Sequence, residues 1–302
     1  MIELKRILCP IDFSDFSRHA LDHAATLARW YEAAVTVLYV HPIVPVAASA
    51  PGAPLFPPLM ATERDRDQVL ESMRAFAGSR PGDEAWMRFE VIEGSAAPVI
   101  LDRAGDLSSD LIVMGTHGRS GFERLVLGSI TEKVLRKASC PVLSVPPRVQ
   151  GAAHGAPHVT RILCAVDFSD CSTKALDYAV SIAQEADAHL TVLHVMEVPP
   201  DVQEFLAGES DAARGYTARA REERLARLHA VVPEAVRTYC TVDTVLGEGK
   251  PSREILRLAA ERESELIVIG VQGRGAVDLL FFGSTAQQVV REAACPVLTL
   301  RR

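Results

Sequence analysis

The chain lacks every feature that would place it outside ordinary globular protein. It has six cysteines in 302 residues, none in a CxxC pair or at ligand spacing from a histidine, which excludes a disulfide scaffold and a zinc module. No stretch reaches the ~18 uninterrupted apolar residues that span a bilayer. The start, Met1-Ile2-Glu3-Leu4-Lys5, runs directly into Ile7-Leu8-Cys9 without the charged, apolar, then small order of a signal peptide, so the cytoplasm is the expected compartment. Basic excess is missing too. Lys and Arg number 32 against 39 Asp and Glu, for a net charge of −7, and both halves are acidic on balance. Neither nucleic acid nor an anionic membrane is an expected partner. There is no G-x4-G-K-[ST] loop, and no G-x-G-x-x-G after the first predicted strand, which excludes P-loop hydrolases and dinucleotide dehydrogenases. No Ser/His/Asp or Cys/His set stands at a predicted strand end, so no catalytic residue and no protein metal ligand is assigned.

What the sequence does have is a duplication. Arg6-Ile7-Leu8-Cys9-Pro10-Ile11-Asp12-Phe13-Ser14-Asp15 returns as Arg161-Ile162-Leu163-Cys164-Ala165-Val166-Asp167-Phe168-Ser169-Asp170 at an offset of 155, and residues 6–40 share 19 identities in 35 with 161–195. Two core-sized copies make a pair of domains rather than a solenoid. The boundaries expected are 1–146 and 159–302, joined by a Gly/Pro-punctuated linker over 147–158.

Within the first copy, β-branched runs alternate with amphipathic stretches. Strands are predicted at Arg6–Pro10, Val35–Val40, Met87–Ile92, Leu111–Gly115 and Val142–Val145, and helices at Ser14–Tyr31, Thr62–Ala77, Ala97–Ala104 and Ser129–Lys137. Continuous apolar strands joined through helices require parallel pairing with both faces covered. The fold class is therefore α/β: two tandem Rossmann-like domains, each a five-stranded parallel doubly wound sheet in the order 3-2-1-4-5. Ligands of such sheets sit beyond the carboxyl ends of the strands, where the winding reverses.

Strand four of the first copy runs through Met114 into Gly115-Thr116-His117-Gly118-Arg119, and after the nine residues 119–127 a helix opens at Gly128-Ser129-Ile130. The second copy keeps the spacing: Ile269, Gly270-Val271-Gln272-Gly273-Arg274, then Gly283-Ser284-Thr285. Glycine lets backbone amides approach a ligand closely, and a Gly-Ser helix start offers unpaired amides and a positive dipole end to an anion. Tight turns and an N-cap would explain one such stretch, but two with identical spacing describe a phosphate cradle. Arg119 and Arg274 could each pair with a phosphate or be solvated.

This G-x2-G-x9-G-S pattern, with Asp12 and Asp167 closing strand one and Cys-Pro-Val before strand five, resembles the nucleotide-binding branch of the universal stress protein family, across both copies. The resemblance implies that Ile11, Asp12 and the backbone beside Val40 hold adenosine. It implies that Met114, Gly115 and Gly118 line ribose and phosphates, with Gly128, Ser129 and Ile130 closing the phosphate end. The matching set is Val166, Asp167, Val195, Ile269, Gly270, Gly273, Gly283, Ser284 and Thr285. The ligand implied is ATP, with Mg2+ held mainly by the phosphates. A nucleotide-dependent stress-response regulator or partner-binding module is the function implied. The alternatives are a slow ATPase using His117 or Gln272 to orient water, or a scaffold with degenerate sites.

The copies differ where Ile130-Thr131 becomes Thr285-Ala286, so the second is expected to lack one hydroxyl near the phosphates. Asp15, His19 and His23 share one helical face, expected to be solvated, as are the charges of Arg219–Arg227. Cys9, Cys140, Cys164 and Cys295 are expected to be buried without redox duty. Pro42–Met60, with six prolines, cannot be a central strand or helix and reads as a lid, partner surface or loop. Strand five would be a bare edge. The resemblance implies that the two copies meet through it as an intramolecular pseudo-dimer, with a homodimer of chains also open.

Overall fold

Ile7, Leu8 and Cys9 are all buried although successive side chains point to opposite faces, so the first strand has cover on both sides. In the computed structural model, described over residues 2–43, 63–78, 85–117, 127–147, 157–197, 211–272 and 282–301, the chain forms two compact units, Glu3–Pro157 and His158–Arg302. The first runs β1 (Arg6–Ile11), α1 (Asp15–Tyr31), β2 (Ala34–His41), α2 (Glu63–Ala77), β3 (Met87–Glu93), α3 (Ala96–Asp106), β4 (Leu111–Gly115), α4 (Ser129–Lys137) and β5 (Val142–Val145). All pairings are parallel, in the order β3-β2-β1-β4-β5.

The second unit repeats the plan: β6 (Arg161–Ala165), α5 (Asp170–Ala186), β7 (His189–Met196), α6 (Asp211–Val231), β8 (Val242–Glu248), α7 (Pro251–Glu261), β9 (Leu266–Gly270), α8 (Ser284–Glu292) and β10 (Val297–Leu300). Its order is β8-β7-β6-β9-β10, again parallel. A 3-10 turn, Glu234–Thr238, precedes β8. The α/β class and the winding expected from periodicity are both present.

The cores are the sheets themselves. Leu8, Val35, Val37, Leu38, Ile112 and Val113 in one unit, and Leu163, Leu190, Val192, Leu193, Ile267 and Val268 in the other, are 0% exposed. Each such side chain contributes about 1.5–3 kcal/mol by leaving water. Helix α1 starts at Ser14, whose hydroxyl accepts from Ser17 N–H, and stops at Glu32 in the left-handed region; α5 uses Ser169 and Asp187 in the same way.

Two expectations need correction. His23 is 8% exposed and His19 Nδ1 donates to the Pro146 carbonyl at 3.1 Å, just past β5, so these two leave solvent while Asp15 on the same face stays exposed. Cys9 and Cys164 are buried, but Cys140 and Cys295 are partly exposed, since each lies in the turn just before its strand. Desolvation still pushes their thiols up, to about 11 for Cys140 and about 12 for Cys295. The charges of Arg219–Arg227 do lie on an exposed helix face, Arg227 among them. Residues 44–60 of the Pro-rich stretch lie outside the described residues.

Candidate functional site

In each unit the winding reverses between the first and fourth strands, and the carboxyl ends of strands one, two and four come to one edge there. The pairing registers Ile11 opposite Tyr39 and Leu8 opposite Ile112. Continued by one step beyond its last pair, the β1–β2 register sets Asp12 beside Val40, and β4 ends at Gly115 on the same edge. The second unit places Ala165 opposite Leu193 and Ile269, so Val166 is one step from Gly270, and Asp167 two steps on from that pair reaches the level of Val195.

Asp12 is held by the turn it starts. Its Oδ1 accepts from Ser14 N–H at 3.1 Å and from the Ser14 hydroxyl at 2.5 Å, while its own N–H donates to Ser17 Oγ at 3.3 Å. Asp167 repeats this with Ser169 at 3.0 and 2.6 Å and Ser172 at 3.2 Å. The residue between, Phe13 or Phe168, has φ +63° in both units, a conformation that L side chains seldom adopt.

Met114 and Gly115 end β4, and packing requires glycine there. A Cβ at Gly115 would lie 3.0 Å from Phe16 Cβ, and one at Gly270 would lie 3.0 Å from the Cys171 carbonyl carbon and Sγ. The first turn of α1 or α5 therefore backs directly onto the strand end. The chain then closes a ring: Gly128 N–H donates to the Thr116 carbonyl at 2.9 Å and Gly283 N–H to the Val271 carbonyl at 2.9 Å. The glycine amide is consumed by this ring, which leaves the amides of the following turn as the helix-start donors without an intrahelical acceptor. Because the N-cap is glycine, no side chain at that position accepts from the first-turn amides of α4 and α8. Ser129 and Ser284 are exposed beside them, and Ile130 is 42% exposed. Thr285 is half-buried.

Thr131 corrects one expectation. It is 3% exposed and donates to the Gly115 carbonyl at 2.9 Å, pinning α4 to β4, so its hydroxyl faces the fold. Ala286 removes that pin rather than a phosphate contact. Gly118, Arg119, Gly273 and Arg274 lie outside the described residues. His117 accompanies Thr116 Oγ1 at 2.9 Å through Nδ1 and lies against the Phe16 ring; its counterpart Gln272 is 7% exposed.

Sequence reasoning missed an aromatic cluster at the base of each site. Phe13 packs on Tyr39 at 5.0 Å and edge-on to Phe76 at 5.5 Å, with the Arg18 guanidinium 4.1 Å from the Phe76 centroid. In the second unit Phe168 lies 4.3 Å from the His194 ring and 4.3 Å below Arg227. The recurrence of Asp-Phe-Ser was the available signal. Among the described residues no group of three His, Cys, Asp or Glu side chains is placed to hold a metal ion, and no helix is long and apolar enough to cross a membrane.

A tandem α/β fold with a repeated strand-end site is thus the class that the geometry defines. The model of the universal stress protein family matches residues 3–146 and again 158–301. The chain belongs to the universal stress protein family, as a two-domain member. It is 27% identical over 300 residues to the universal stress protein Rv2623 of Mycobacterium tuberculosis, covering 98% of this chain and 96% of that one. A universal stress protein of Thermus aquaticus is 39% identical over 142 residues, covering 46% of this chain and 97% of its own. Among solved structures, a universal stress protein from Archaeoglobus fulgidus superposes with TM-score 0.62 at 22% identity, covering 99% of this chain and 97% of its own. A functionally unknown protein of Pseudomonas aeruginosa gives 0.67 at 18%, covering 98% and 92%.

Proposed function

We propose that each unit binds an adenine nucleotide, ATP with Mg2+, at the carboxyl edge of its sheet, and that the protein works as a nucleotide-dependent regulator or partner-binding module. One observation carries the reading. In both units a helix start capped only by glycine, and closed onto the end of strand four by a 2.9 Å amide bond, stands at the edge where Asp12 or Asp167 ends strand one. Phosphate would take the first-turn amides of α4 or α8, with Ser129 or Ser284 beside it. The adenosine end would lie along Asp12 and Val40, or Asp167 and Val195. The magnesium ion would arrive with the phosphates and neutralise part of their charge.

The fit is tested by the space available. A Cβ at Gly128 or Gly283 would meet the backbone of the preceding turn at 3.0 or 2.8 Å, so any larger residue must push that turn back. Mass analysis of small molecules released from freshly purified protein should find ATP or ADP at up to two per chain; nucleotide-free protein that also fails to take up added MgATP overturns the reading. One observation favours slow hydrolysis as a second reading: His117 Nε2 is buried without a hydrogen-bond partner among the described residues, in the turn beside the phosphates. A timed ATPase assay on His117→Ala decides it, since turnover that survives the change removes His117 from the chemistry.

A further inference from the structure

We propose that Phe13 and Phe168 are positioning residues that couple occupancy of each site to the seating of the helix after the second strand, α2 or α6, with an arginine as the link. The inference rests on the nucleotide reading above. Both phenylalanines are held at φ +63°, directly after the aspartate of the site, and a bulky residue persists there only where its surroundings over-determine it. The surroundings are the ring contacts. Phe13 meets Tyr39, the residue before Val40, and Phe168 meets His194, the residue before Val195. His194 is itself fixed, its Nδ1–H donating to the Val166 carbonyl at 2.8 Å.

From the other side, the helix after the second strand completes each stack. In the first unit α2 supplies Phe76, which carries Arg18 over its face and accepts from that guanidinium through its carbonyl. In the second unit α6 supplies Arg227 directly onto Phe168. The two links are built from different residues, since Thr173 stands where the duplication would put Arg18. A copied packing accident would reuse the same residue; a kept constraint need not. Among the described residues α6 is also tied to β8 by the Arg221–Glu248 ion pair and by His229 at 3.4 Å from Thr244 Oγ1. Met73 is the fully buried residue of α2, and Leu228 is that of α6 from residue 218 onward.

A base lying along Val40 or Val195 would restrict the neighbouring ring, and a restricted ring holds the cation and its helix better. By linkage, a partner that fixes the helix tightens the nucleotide by the same factor. The arginine–ring contact at an exposed site corresponds to about a two- to fivefold effect.

Hydrogen exchange of the full chain with and without saturating MgATP tests this. Added ATP should slow exchange at the first turn of α8 and also along α6. In Arg227→Met the α8 protection should remain while the ATP-dependent gain along α6 falls by about two- to fivefold; Arg227→Lys, which keeps a cation over the ring, should restore it. A merely structural Arg227 would change α6 equally with and without ATP, and that result overturns the coupling. Protection of α8 without any gain along α6 in the unmodified chain overturns it as well. Absence of protection at both helices overturns the nucleotide reading and this inference together.

Discussion

Replacing Gly128 and Gly283 by valine attacks the one place where backbone geometry and the proposed ligand meet. Ordinary contact for a Cβ begins at 3.4 Å, whereas the atoms to be met stand at 3.0 Å (Thr116 O) and 2.8 Å (Val271 O). The turn must therefore retreat by about 0.4 Å in the first unit and about 0.6 Å in the second. Overpacking of this kind costs about 1–3 kcal/mol, so the second unit should suffer more, and at about 2–4 °C per kcal/mol for units near this size the melting temperature should fall by several degrees. The retreat also turns the first-turn amides away from the phosphate. Each charge-assisted hydrogen bond lost is about 1.5–3 kcal/mol, or roughly ten- to hundredfold in affinity. Equilibrium dialysis against MgATP should show each single variant keeping one site and the double variant keeping none, while circular dichroism reports an intact fold. A double variant that shows the thermal shift but retains full ATP stoichiometry would falsify the cradle, because the side chains would be in place and the ligand indifferent to them.

Four further outcomes are expected. Thr131→Val removes a buried donor from the Gly115 carbonyl and should destabilise the first unit by about 1–3 kcal/mol in chemical denaturation; a change under ~0.3 kcal/mol would contradict the pin. Gly105 sits in α3 with open space where a Cβ would go and φ outside the left-handed region, so Gly105→Ala should raise stability by about 0.5–1 kcal/mol, and a loss in the same assay would contradict that geometry. The thiols supply a pH dependence: burial raises Cys140 from 9.0 to about 11 in the folded chain, so the unfolded chain ionises first. That part of the stability is complete below about pH 9 and declines as pH rises through about 11. Labelling with a thiol reagent at neutral pH should be slow in the native chain at Cys9 and Cys164, and stoichiometric fast reaction at either would rule out their burial.

Much of this protein was legible in one dimension because its cues are local. An apolar run such as Leu111-Ile112-Val113-Met114 needs cover on both faces whatever its neighbours are, and its alternation with helical periodicity leaves few windings available. The duplication did the rest for the site: Gly128 and Gly283 stood out because the spacing was kept twice, and Asp12 and Asp167 because they end the same strand twice. What could not be read was direction. Thr131 looked like a phosphate ligand, and only the packing of α4 on β4 turned its hydroxyl inward to Gly115. His19 and His23 looked like a wet stripe until the end of β5 covered them. Arg227 stays exposed on its helix, as read, and neither it nor Phe13 stood out from the sequence as a ring partner. Their meeting with rings at the base of each site depends on contacts between segments tens of residues apart, which periodicity does not encode. Sequence thus determined which elements form and where each strand ends, because those depend on nearest neighbours along the chain. Tertiary structure alone decided which polar groups are consumed by the fold and which are not, because a buried donor takes whichever acceptor the packing brings within about 3 Å.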